Sequence, residues 1–314
     1  MPTSDTLLQH GWREATRTVN GVNLHVVEAG EVGRPLLILL HGFPEFWWSW
    51  RHQITPLAEA GYHVVVPDMR GYNRSDAPQD VSAYTIDILA GDVVALAEAF
   101  GADRVHLVGH DWGAVIGWWV AARHPARLNR VVLMDGPHPD VWGKQAIAHP
   151  TQALRSTYVA FFQLPWVPET ALGAFDHAGL KAMMQGSAKV DTFEPGALDH
   201  YSEAWGHPGS ITAMLNYYRA LRERPHTEQP ARLIPPTLIL WAGNDMFLEQ
   251  HVAEAGLALC DDGRLEVVEG ASHWLHIEQP ARITARIISF LGDGPNDPPD
   301  LSPGHGKPPA HDRG

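Results

Sequence analysis

An aspartate stands where an apolar strand runs straight into a helical pattern, at the centre of Val105-His106-Leu107-Val108-Gly109-His110-Asp111-Trp112-Gly113-Ala114. The Gly-x-Asp-x-Gly spacing allows a tight strand–turn–helix corner whose middle residue is strained and exposed, with the free N–H groups of a helix N-terminus beneath it. Serine is the usual occupant of such a corner and performs acyl transfer. A carboxylate is a weak nucleophile toward carbonyls, but held in line it can attack a saturated carbon that bears a leaving group. The product is an alkyl-enzyme ester, which water must then hydrolyse. Asp is also a good helix N-cap, so capping is the plain alternative for Asp111. The two glycines and the partners below weigh against it.

Hydrolysing an ester near neutral pH calls for a general base, and His suits that task. The chain has 19 His, so position must choose among them. Glu269-Gly270-Ala271-Ser272-His273-Trp274 follows the last predicted strand, at the sheet edge that should carry Asp111. Sites in such sheets lie at the carboxyl ends of the strands, so His273 is the expected base and His276 is expected to be structural. A neutral His base needs a carboxylate to fix its tautomer. Asp245 and Asp135 both sit at strand ends, and the order nucleophile, acid, His fits either. Asp245 is preferred, with Asp135 left as a structural or backup carboxylate. The ester also needs an oxyanion hole. Leu40-His41-Gly42-Phe43-Pro44-Glu45 supplies a Gly-containing turn, so the backbone N–H groups of Phe43 and Trp112 are the expected donors, each worth on the order of 3 kcal/mol. Pro44 has no N–H to offer.

The elements that must position these groups are legible as hydrophobic runs. Arg17-Thr18-Val19 and Val22 to Val27 flank Asn20-Gly21, the favoured two-residue hairpin turn. Nearly unbroken apolar runs follow at Leu36–Leu40, Val64–Val66, Val105–Val108, Val131–Met134, Thr237–Trp241 and Leu265–Val268. Such runs predict strands covered on both faces, as in a parallel sheet. Amphipathic stretches such as Ile86 to Phe100 and Gly113 to Arg123 alternate with them. That alternation predicts an α/β fold with a doubly wound, mostly parallel sheet. It stops near Pro137 and resumes at Thr237. Residues 1–139 and 229–291 therefore read as the core, 140–228 as a helical insertion over the sheet, and 292–314, with six Pro and five Gly, as a flexible tail.

Composition narrows the function. The chain has 314 residues, 45% of them hydrophobic, enough for a large core, and a formal net charge of -13 without a basic run. That charge disfavours nucleic acid and anionic lipid as partners. A single cysteine, Cys260, excludes an internal disulfide framework and a Cys-based zinc site. No apolar run reaches a membrane span, and the first twenty residues lack the layout of a signal peptide, so a soluble, cytoplasmic monomer or homodimer is expected. Neither a Gly-Lys-Ser/Thr phosphate loop nor a His-Glu-x-x-His pattern is present, and no cofactor or metal is expected.

These segments together resemble the α/β-hydrolase superfamily, and within it the epoxide-hydrolase branch, which is related to the haloalkane dehalogenases. The resemblance rests on His41-Gly42-Phe43-Pro44-Glu45, Asp68-Met69-Arg70-Gly71-Tyr72 with Ser75-Asp76, Gly109-His110-Asp111-Trp112-Gly113-Ala114, Gly243-Asn244-Asp245 and Ser272-His273-Trp274. It implies a helical cap between strands six and seven that supplies two tyrosines. Tyr158 in Thr157-Tyr158-Val159-Ala160-Phe161 matches the first. In Leu215-Asn216-Tyr217-Tyr218-Arg219, Tyr218 matches the second, and adjacent helix residues point about 100° apart, so Tyr217 and Tyr218 cannot both face the site. The function implied is two-step hydrolysis of a small apolar epoxide by water to a vicinal diol, through an Asp111 ester, with Asp111, His273, Asp245, Tyr158 and Tyr218 as the catalytic set. Opening an epoxide creates an alkoxide, which a phenol with pKa near 10 can protonate, whereas a departing halide needs no proton.

The expected pocket lining is His41, Pro44, Trp48, Phe162, Phe247 and Trp274, drawn from an aromatic set that also holds Trp47, Phe161, Phe175 and Trp205. Packing between cap and core is the alternative use for those rings. A haloalkane or haloacid dehalogenase would share the Asp nucleophile. The former usually has Asn where Phe43 stands, and the haloacetate type has Arg where Trp112 stands. A silent ligand-binding protein of the same fold is the alternative outside catalysis, and it would have no use for Asp111, His273 and Asp245 together.

Overall fold

The structure, a computed structural model, describes residues 7–223 and 231–292. The tail expected over 292–314 lies outside them except for Gly292, which closes the last helix, as does the end of the insertion, 224–230.

Eight strands form one sheet: β1 Arg13–Val19, β2 Val22–Ala29, β3 Leu36–Leu40, β4 His63–Pro67, β5 Val105–His110, β6 Leu128–Met134, β7 Thr237–Ala242 and β8 Gly263–Val268, in the spatial order 1-2-4-3-5-6-7-8. β1 and β2 form the expected hairpin. Asn20 and Gly21 both take positive φ (46° and 78°), as a primed turn requires, and Val19 pairs with Val22. β1 with β2 and β2 with β4 pair antiparallel, and the remaining five pairings are parallel. β3, β4, β5 and β7 are buried at every residue, which is why they read as unbroken apolar runs. β8 departs from that expectation. It is the sheet's edge, most of its residues are only half-buried, and its Glu266 pairs with Arg286.

The crossovers are helical: α1 Arg51–Glu59, α2 Ile86–Ala99, α3 Trp112–Arg123, and, after the insertion, α10 Gln250–Leu257, α11 Leu275–Glu278 and α12 Pro280–Gly292. α1 packs on α12 and α2 on α3. Between β6 and β7 the described residues add no strand to the sheet. The chain runs instead through α4 Pro139–Ala148, α5 Pro150–Arg155, α6 Thr157–Phe162, α7 Val167–Ser187, α8 Ala197–Trp205 and α9 Ser210–Arg219. α7 is broken inside, where Phe175, Asp176 and His177 all take left-handed φ. No helix among the described residues is long and apolar enough to cross a membrane.

Candidate active site

Parallel pairing brings the carboxyl ends of β3, β5, β7 and β8 to one edge of the sheet, and the loops leaving those ends carry the reactive groups. Asp111 is the corner between β5 and α3, at φ 49° and ψ −117°. That conformation costs on the order of 1–3 kcal/mol and must be held by its surroundings. Its N–H donates to the Met134 carbonyl at 2.9 Å, and its carbonyl accepts from Val115 N–H at 2.9 Å. The flanking glycines serve by their lack of bulk, since neither takes a positive φ. A Cβ at Gly109 would lie 2.3 Å from the Gly113 carbonyl oxygen, and one at Gly113 would lie 2.2 Å from that of Leu40.

The Asp111 side chain does not cap α3. Its Oδ1 accepts the Phe43 N–H at 2.7 Å, while its Oδ2 lies 3.6 Å from His273 Nε2, an ion-pair separation longer than a hydrogen bond. On the far side of the imidazole, Nδ1 is 2.7 Å from Asp245 Oδ2. The other Asp245 oxygen accepts from the N–H groups of Phe247 (2.6 Å) and Leu248 (3.0 Å), so that carboxylate is fixed in place. Burial works to lower the pKa of His273, but Asp245 and Asp111 on either side outweigh it and hold the ring well above its ordinary value. Trp112 is the first residue of α3, where N–H groups have no intrahelical acceptor.

Asp135 is fully buried. One of its oxygens accepts the Ala242 N–H at 2.8 Å and the other has no partner. Burial, followed by the charge of Asp245, pushes its carboxyl well above the usual carboxylate range. Of the two acids the sequence left open, Asp245 is the one bonded to the imidazole.

A recess of about 60 Å³ adjoins Asp111, with Tyr158 and Tyr218 in its wall. The two rings contact each other edge to face at 5.9 Å, and Tyr218 also rests on Trp112 at 5.1 Å. Burial first, and the Asp111 charge in addition, raise both phenols, so each remains a proton donor. Tyr217 is turned away and donates its O–H to the Arg70 carbonyl at 2.7 Å.

The expected pocket lining needs correction. The recess is walled by Val115, Pro137, Trp142, Val159 and Leu248. None of the six residues named from the sequence is in that wall. Phe162 and Phe247 back the site, touching Tyr218 (5.0 Å) and His273 (5.0 Å). His41 is buried under its own turn and accepts the Met69 N–H through Nε2 at 3.0 Å. Pro44 accepts the Trp205 indole N–H at 2.6 Å. Trp48 lies among Phe46, His200 and Tyr201, with the Arg51 guanidinium 3.9 Å from its ring. Trp274 leans on His273 and donates to Ser187. Phe175 is 92% exposed.

Sequence reasoning passed over Glu45. Its buried carboxylate accepts the Gly42 N–H (2.8 Å) and bonds His110 Nδ1 (2.8 Å) and His276 Nε2 (3.1 Å), while His110 Nε2 bonds the His273 carbonyl (2.8 Å). Burial opposes the charge on Glu45, yet the two rings outweigh it and keep the carboxyl well below its usual range. Burial drives His276 down to about 4, so it serves as a neutral donor. One carboxylate thus joins the Phe43 turn, the Asp111 corner and the His273 loop. Glu45, His110 and His276 have the spacing of metal ligands, but their donor atoms are taken up by one another. The acid loop is also tied to the insertion. Arg155 on α5 donates to the Asp245 carbonyl, and Gln152 bridges Phe247 and Glu249.

Residues 35–280 match the family model described as alpha/beta hydrolase fold. A Bacillus subtilis protein named AB hydrolase superfamily protein YfhM is 40% identical, over 87% of this chain and 95% of its own. Human epoxide hydrolase 4 is 36% identical, over 87% of this chain and 76% of its own. The crystal structure of Bacillus megaterium epoxide hydrolase in complex with an inhibitor superposes with a TM-score of 0.81 at 30% identity, covering 88% of this chain and 99% of that one.

Proposed function

This chain belongs to the α/β-hydrolase family, and we propose that within it the protein is an epoxide hydrolase that opens the ring through an Asp111 ester and releases a vicinal diol. The observation that carries the reading is the division of labour at Asp111. Oδ1 is pinned by the Phe43 N–H, and Oδ2 is left to react beside a recess that two protonated phenols share.

In the first step Tyr158 and Tyr218 hydrogen-bond the epoxide oxygen. Asp111 Oδ2 attacks a ring carbon, the carbon–oxygen bond breaks, and a phenol passes its proton to the alkoxide. Esterification removes the negative charge on Asp111, one of the two that hold the proton on His273. The imidazole releases that proton, the phenolate is reprotonated, and the ring becomes a base. In the second step His273, oriented by Asp245, takes a proton from water. The water oxygen attacks the ester carbonyl, and Oδ1 becomes an oxyanion held by Phe43 N–H and Trp112 N–H. Collapse expels the diol oxygen, which takes the proton back from His273. The helices between β6 and β7 act as the cap that carries both phenols and excludes water from the first step.

Single turnover of styrene oxide in ¹⁸O water, with enzyme in excess, tests the covalent step. The first diol should be unlabelled, and the label should enter the Asp111 carboxylate. Labelled diol in the first turnover refutes the ester. Bromide release from 1-bromobutane without diol from styrene oxide overturns the epoxide reading itself.

A further inference from the structure

Asp135 and Asp245 follow the carboxyl ends of neighbouring strands, β6 and β7, and only the second is bonded to His273. The Asp135 backbone takes φ 41°, in the left-handed region, and its N–H points at the Leu240 carbonyl at 3.4 Å. Its Oδ1 accepts the Ala242 N–H at the end of β7, whereas its Oδ2 is buried without a partner. A carboxylate oxygen of Asp135 and ring nitrogens of His110 and His273 all lie within 4.8 Å of one another. His110 is engaged at both nitrogens, by Glu45 and by the His273 carbonyl, so His273 is the ring free to turn. A strained φ and an orphaned buried oxygen each cost free energy, and such costs gather at working sites. An Asn would accept the same N–H, tolerate the same φ and bury no ionisable group. What Asp adds is a proton that can leave. Burial first, then the charges of Asp245 and Asp111, keep that proton in place in the intact enzyme.

The geometry points to Asp135 as a reserve positioning residue for His273: with the Asp245 carboxylate gone, Asp135 gives its proton to solvent, accepts the imidazole Nδ1–H through Oδ2, and holds the ring in the tautomer of a base. This inference rests on the reading of His273 as the base that hydrolyses the Asp111 ester. Removing Asp245 takes away the charge that most opposes ionisation of Asp135, and an imidazolium within 4.8 Å favours it. Two acids on neighbouring strands thus serve one histidine, the first by contact and the second by replacement.

The test follows ester hydrolysis and the His273 imidazole in Asp245→Ala, Asp135→Asn and the double variant. Single turnover of styrene oxide loads Asp111, and mass spectrometry follows loss of the adduct. Asp245→Ala should slow that loss, and the double variant should be slower again by about 10- to 100-fold, the value of a hydrogen bond to a charged group. The combined effect should exceed the product of the single effects, as expected of two groups that serve one ring. NMR titration supplies a readout that packing does not move. Adding Asp135→Asn to Asp245→Ala should lower the His273 midpoint by about two pH units, from a unit charge within 4.8 Å at an effective dielectric constant of about 20. If Asp245→Ala does not fold, Asp245→Asn keeps an oxygen for the Phe247 and Leu248 N–H groups and carries the same titration. A double variant no slower than the product of the singles, or a His273 midpoint indifferent to Asp135 once Asp245 is replaced, overturns the reserve role. Absence of an Asp111 adduct in the wild type overturns the epoxide reading instead, and the titration still decides for or against Asp135.

Discussion

Replacing Tyr158 and Tyr218 by Phe, singly and together, tests the chemistry of ring opening. Each change deletes one hydroxyl and keeps a ring that packs on neighbours at 5.0–5.9 Å, so the cap should hold its shape. Both hydroxyls are protonated donors beside Asp111, because burial raises their pKa. A hydrogen bond to an oxygen that becomes charged is worth about 1.5–3 kcal/mol, so each single variant should slow alkylation by about 10- to 150-fold. The remaining phenol still supplies a proton in either single variant. The double variant leaves the alkoxide with no acid, and its loss should exceed the product of the two single losses. Rapid-quench mass spectrometry of the Asp111 ester under single-turnover conditions reads alkylation separately from hydrolysis. A double variant that alkylates at the wild-type rate refutes the role of both tyrosines.

His273→Gln should alkylate and stall, seen as a protein mass increase equal to that of the substrate, and diol formation by that variant refutes the base assignment. Because esterification removes one of the anions that raise the pKa of His273, ester hydrolysis should rise with pH through a midpoint lower than that of the imidazole in the free enzyme, as read by NMR titration. Asp135 has a folded-state pKa above its unfolded value of about 3.9, so its contribution to stability is fully present below that pH and is lost as pH rises toward the folded pKa. Asp135→Asn is neutral at every pH, so its Tm relative to wild type should climb across that window; a constant Tm difference refutes the protonated form. Glu45→Ala leaves the Gly42 N–H and the His110 and His276 rings without their shared acceptor and should cost about 3–5 kcal/mol in urea unfolding, at roughly 1–3 kcal/mol for each stranded group, whereas a loss below about 1 kcal/mol refutes the network's structural role.

The sheet was legible because strands buried on both faces are mostly apolar, and β3, β4, β5 and β7 are buried along their whole length. The Asp111 corner was legible for a different reason: two glycines at fixed spacing mark places where a Cβ has no room. Adjacent helical side chains diverge, so only one of Tyr217 and Tyr218 could face the site; the resemblance picked Tyr218, and the Tyr217 hydroxyl is spent on the Arg70 carbonyl. The Glu45 network was not legible, since its partners lie 65 and 231 residues away and have no common period. The pocket wall was misread because hydrophobicity does not tell a ring in a wall from a ring behind it. Phe175 shows the same limit, since its exposure depends on the break in α7.

The hydrogen bonds from Gln152 and Arg155 to the loop of Asp245 have a consequence for anyone building chimeras of this family. A crossover placed neatly at the two ends of the insertion would look modular on paper, yet it would import an α5 chosen for another parent's acid loop. A transplant that carries residues 245–249 along with the helices keeps donor and acceptor from one ancestor, and is the graft that should keep its turnover.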